Sequence, residues 1–96
     1  MFVAVVVDPG GNESSRNLQE ILASYGFERV QRACWESPVI SESDLQNLKQ
    51  DIDSVTDYYD IVRMYQFPVD DVFAVTTMYK KKWRRIVVRP PAPLPR

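Results

Sequence analysis

Apolar residues run unbroken from Phe2 to Val7 and stop at Asp8, after which Pro9-Gly10-Gly11 turns the chain. A run without polar alternation reads as a strand covered on both faces. The next pattern is helical: Leu18, Ile21, Leu22 and Tyr25 recur at i, i+3, i+4 and i+7, with Ser14 or Ser15 placed to cap the start and Gly26 to end it. Residues 27–40 read as extended. They are too long for one ordinary strand, so a kink or tight hairpin is expected near Arg32-Ala33. Ser41 with Asp44 three residues later marks a second helix start, and Leu45, Leu48, Ile52 and Val55 stripe that helix. Residues 60–67 form a strand bounded by Pro68; 72–79 and 83–89 are further extended candidates. The end, "PPAPLPR", favours polyproline II and is expected to fray.

This order predicts an α+β fold: a ferredoxin-like βαββαβ sandwich with an extra C-terminal strand, two helices covering one face of an antiparallel sheet. At 96 residues the chain is one domain, residues 1–89, with a flexible proline-rich tail at 90–96. No stretch approaches the roughly 20 apolar residues of a membrane span, and no basic n-region or cleavage site marks a signal peptide. Cys34 is the single cysteine, which fits a reducing cytoplasm. It reads as a small buried hydrophobe with no evident base partner. Histidine is absent, so Ser-His-Asp and Cys-His nucleophilic schemes and histidine zinc sites are excluded.

The net charge of −1 conceals a division. Five bases and thirteen acids precede residue 80, a balance of −8; seven bases and no acid follow, a balance of +7. In the segment "YKKKWRR", bases alternate with aromatics. Lys80, Lys81, Lys82, Arg84 and Arg85 would attract phosphates, and Trp83 could pack on a sugar or base. The same cluster also reads as a solubilising guard on a sheet edge.

Asp8 has two readings of its own. It can bond backbone amides in the turn ahead of Pro9-Gly10. Alternatively, a carboxylate at the tip of a central strand can hold Mg²⁺ or Mn²⁺, and a metal-bound water there could attack a phosphodiester. The acidic pairs Asp57/Asp60 and Asp70/Asp71 read as solvated surface. The glycine pair is no phosphate loop, because neither G-K-[ST] nor G-x-G-x-x-G spacing is present.

Taken in order, Asp8, Arg16, Arg29-Val30-Gln31, Trp35-Glu36, and Arg63 with Phe67-Pro68 resemble CRISPR-associated protein two, the small dimeric member of the CRISPR adaptation pair. The resemblance spans residues 2–68. It implies a ferredoxin-like fold, a homodimer, DNA or RNA binding, and assembly with the CRISPR integrase protein. It also implies metal-dependent endonuclease activity with Asp8 as the catalytic metal ligand, two copies facing across the dimer axis, and Arg16 neutralising phosphate. Competing expectations are a toxin-like ribonuclease on the same fold and a non-catalytic protein-interaction module.

Overall fold

Burial along the first strand alternates. In the computed structural model, which describes residues 1–69 and 72–89, β1 (Phe2–Asp8) buries Val3, Val5 and Val7 and leaves Phe2, Val6 and Asp8 exposed. This corrects the expectation of cover on both faces. The helices α1 (Asn12–Ser24) and α2 (Glu42–Val55) lie on one side of the sheet only, so the other side of β1 is bare.

The remaining strands are β2 (Glu28–Gln31), β3 (Cys34–Ser37), β4 (Ile61–Val69), β5 (Val72–Tyr79) and β6 (Lys82–Val88). The spatial order is β2-β3-β1-β4-β5-β6, antiparallel throughout. The first four strands with their two helices form the expected ferredoxin-like unit, and β5 and β6 continue the sheet beyond β4. Leu18 and Leu22 of α1 and Leu45, Leu48 and Ile52 of α2 pack onto Val3, Val5, Val62, Met64 and Met78 in one core.

Local chemistry accounts for most element ends. Ser41 caps α2, its hydroxyl accepting from the Asp44 amide at 3.1 Å. Helix α1 starts earlier than its serines predict, at Asn12, with Gly11 at the cap position three residues before Ser14. Gly26, at φ 82°, follows the end of α1 as expected. The hairpin at Arg32-Ala33 joins β2 to β3. Strand β4 does not stop at Pro68. It runs to Val69, and its register with β5 shifts between Gln66 and Val69, a place where a residue lacking an N–H disturbs no regular ladder.

The β5–β6 connection is a two-residue turn, Lys80-Lys81, with φ of 52° and 63°. Both residues are left-handed, a conformation usually reserved for Asn-Gly in such hairpins. The Asp70/Asp71 pair and the tail 90–96 lie outside the described residues. Among the described residues, no helix is long and apolar enough to cross a membrane.

Candidate functional site

The turn after β1 is organised by Asp60, not by Asp8. Asp60 is fully buried. Its Oδ1 accepts the Gly10 amide at 2.7 Å; its Oδ2 accepts the Asp57 amide at 2.7 Å and the Ser14 hydroxyl at 3.1 Å. Burial pushes this carboxyl up, but the donors from Gly10, Asp57 and Ser14 outweigh it and hold the pKa below the ordinary aspartate value. The expectation that Asp57/Asp60 is a solvated pair is therefore corrected at Asp60, which ties the start of α1 to the loop before β4. Gly10 is required here. A Cβ on it would meet the Tyr59 Cβ at 2.6 Å and the Tyr59 carbonyl oxygen at 2.9 Å.

With the turn held from elsewhere, the exposed Asp8 carboxylate is uncommitted: no donor among the described residues bonds it. Asp8 edges a cleft of ≈ 340 Å³ together with Gln19, Arg29, Arg32, Ala33 and Trp35. Arg29 donates to the Arg32 carbonyl at 2.6 and 3.1 Å and its guanidinium lies 5.9 Å from the Trp35 ring centre, so the β2–β3 hairpin is braced beside the carboxylate. The Trp35 Nε1–H is buried without a partner. Arg16 is exposed on α1 and does not line the cleft, where the cations are Arg29 and Arg32. No group of three His, Cys, Asp or Glu residues converges among the described residues. One carboxylate per chain, plus waters, is a set Mg²⁺ accepts, and a second copy would double it.

Asp8 stands at one end of the bare sheet face. The registers put Phe2, Val6, Arg63, Tyr65, Phe67, Phe73, Val75, Thr77, Ile86 and Val88 on that same face. Phe2 is 38% exposed, Val6 37%, Phe67 51%, Ile86 52% and Val88 50%. Phe73 stacks between Tyr65 and Phe67 at 6.0 Å from each. Half-buried Cys34 opens onto this face too; desolvation and then Glu36 raise its thiol pKa, keeping it protonated. The pattern that could have revealed the bare face was hidden by the apolar character of both sides of β1.

The basic segment divides by strand alternation. Lys82 and Arg84 pair across from Tyr79 and Thr77, placing them on the bare face. With Arg63, Lys80, Tyr58 and Tyr79 they line a ≈ 580 Å³ depression. The Lys80 ammonium sits 5.7 Å from the Tyr58 ring centre and 5.4 Å from that of Tyr79. Lys81 and Trp83 turn to the helix side. Lys81 Nζ donates to the Asp53 and Thr56 carbonyls and pairs with the Asp53 carboxylate at 3.1 Å, while Trp83 Nε1 donates to the same carboxylate at 2.9 Å. These bonds satisfy carbonyls at the end of α2 that have no helical partner. Trp83 first and Lys81 next hold the Asp53 pKa down. Arg85 also faces the helix side, across from Thr76.

No match was found among curated proteins or solved structures. The family model for CRISPR associated protein Cas2 matches residues 1–75, from the start of β1 into β5, and takes in Asp8, both helices and the sheet core. By that match over most of its length, the chain belongs to the CRISPR associated protein Cas2 family.

Proposed function

We propose that this protein is the dimeric, DNA-binding scaffold of CRISPR adaptation, acting with the CRISPR integrase in spacer acquisition, and that Asp8 holds Mg²⁺ or Mn²⁺ for endonuclease work. The observation that carries this reading is the bare apolar sheet face ending in an uncommitted carboxylate. A small monomer rarely leaves so many large apolar side chains contiguous and exposed. Stacking two such faces about a two-fold axis would bury Phe2, Val6 and Phe67 and would give the site a second Asp8. A divalent ion held there would supply an activated water for phosphodiester hydrolysis.

The chain's own part is to bind and orient nucleic acid. Lys80, Lys82 and Arg84, with Arg63, present positive charge beside two tyrosines, an arrangement suited to a sugar–phosphate backbone without sequence reading. Exposed Arg16 adds a cation on α1. The lone Cys34 thiol suits a reducing cytoplasm. The test is reconstitution with the cognate integrase and a labelled duplex. Integration should depend on this protein and fall when Lys80, Lys82 and Arg84 become glutamine. Full integration in its absence, or no duplex binding at low salt, would overturn the reading.

A further inference from the structure

A groove of ≈ 450 Å³ lies between α2 and β6, away from Asp8 and bordered at the sheet edge by Arg84. Its α2 wall is Gln46, Lys49, Gln50 and Asp53, the residues at i, i+3, i+4 and i+7 on one helix flank; its strand wall is Thr76 of β5 with Trp83, Arg84 and Arg85 of β6. The cations in it lack counter-charge. Among the described residues, Asp53 is the one carboxylate lining it, and that carboxylate is already bonded by Lys81 and Trp83. Neither Lys49 nor Arg85 forms an ion pair among the described residues. Half-buried Lys49 has its pKa lowered by desolvation first and by Arg85 second, as expected for two like charges held together without an anion between them.

We propose that this groove is a binding site for the phosphate of a 5′-nucleotide, free or at the end of a strand. Lys49 and Arg85 converge on the groove as the charged pair, and the Gln46 and Gln50 amides supply neutral donors beside them. Charge-assisted bonds from such a set match an anion with several oxygens. The volume falls in the range of small-ligand pockets, with Trp83 as an aromatic wall for the base. An anion seated there would also remove the repulsion between Lys49 and Arg85. The site rests on this geometry alone; Arg84 borders both this groove and the depression on the bare face, and the pair that sets this groove apart is Lys49 and Arg85, neither of which lines that depression.

The test titrates the full chain at low salt with adenosine 5′-monophosphate, adenosine, and a 5′-phosphorylated thymidine decamer, following Trp83 fluorescence and the ε-carbon signal of Lys49. The monophosphate should bind and adenosine should not. Lys49→Gln and Arg85→Gln should each weaken monophosphate binding about tenfold. Both remove a repelling charge, so neither should lower the thermal midpoint. The Lys49 titration should move up when the monophosphate saturates the site. Binding of the decamer, compared with an unphosphorylated decamer, separates a strand end from a free nucleotide as the source. Equal binding of monophosphate and adenosine, or monophosphate affinity unchanged in both variants, would overturn the proposal. Duplex binding measured on the same variants should persist, so failure here is distinguishable from failure of the scaffold reading.

Discussion

Replacing Asp60 by asparagine would remove the charge at the junction of β1, α1 and β4 while keeping its shape. The carboxylate serves three donors: the Gly10 and Asp57 amides, both at 2.7 Å, and the Ser14 hydroxyl at 3.1 Å. Asparagine keeps one acceptor oxygen. Its better orientation places that oxygen at the Asp57/Ser14 position, because the nitrogen then opposes only the Gly10 amide. One buried backbone N–H is left facing another donor, and the remaining bonds lose charge assistance. At about 1–3 kcal/mol for an unsatisfied buried group, the expected loss is about 2–3 kcal/mol. For a domain of this size that lowers the thermal midpoint by about 10–20 °C. Alanine, which strands all three donors, should cost more. The assay is urea unfolding followed by tryptophan fluorescence at fixed protein concentration, at neutral pH and in acid. The Asp60 pKa is lowered in the folded state, so its contribution is complete above the ordinary aspartate value of 3.8 and is lost as pH falls through the folded value. The gap between parent and Asp60→Asn should therefore be constant near neutrality and close only in strong acid. A loss under about 1 kcal/mol at neutral pH, or a gap independent of acid, would refute the assignment of the turn to Asp60.

At the other aspartate, Asp8→Asn should change stability by under about 0.5 kcal/mol, since no internal donor is lost; Mn²⁺ binding measured by calorimetry should disappear while duplex affinity remains. Glutamine at Lys80, Lys82 and Arg84 should flatten the plot of log affinity against log salt by about 0.9 for each phosphate no longer neutralised. Lys81→Gln should leave that slope nearly unchanged and instead lower stability by about 1 kcal/mol, because its ammonium holds the end of α2. Phe67→Glu, at a position 51% exposed on the bare face, should yield a monomer in sedimentation without unfolding the chain; an unchanged dimer would put the association surface elsewhere.

The periodicity of the two helices, the Ser41 cap and the Arg32-Ala33 hairpin were readable from residues because each is governed by neighbours in the chain. What escaped depends on partners far apart in it. Asp60 looks like half of a surface pair until the fold brings Gly10 and Ser14 to its oxygens, 50 and 46 residues away. Asp8 read first as a turn residue and second as a metal ligand, and only the arrival of Asp60 at the Gly10 amide frees it of the first task. The run 80–85 reads as a single basic block, although the two-residue period of a strand sends Lys82 and Arg84 one way and Trp83 and Arg85 the other. The Lys80-Lys81 turn carries neither glycine nor asparagine, so it gave no hairpin signal. The bare side of β1 was hidden because both sides are apolar, and a helix covers only one.

That same turn makes the end of the chain dependent on its middle. Two non-glycine residues in left-handed conformation are disfavoured by about 1–2 kcal/mol each, so 72–89 cut loose has little reason to fold back on itself. What offsets the cost is the grip of Lys81 and Trp83 on the last turn of α2. The hairpin is thus held in its native form by contacts outside itself, with the second helix supplying the partners of its turn. Anything that loosens α2 would release Lys80, Lys82 and Arg84 from their fixed spacing, so the positive surface exists as a surface only in the completed fold.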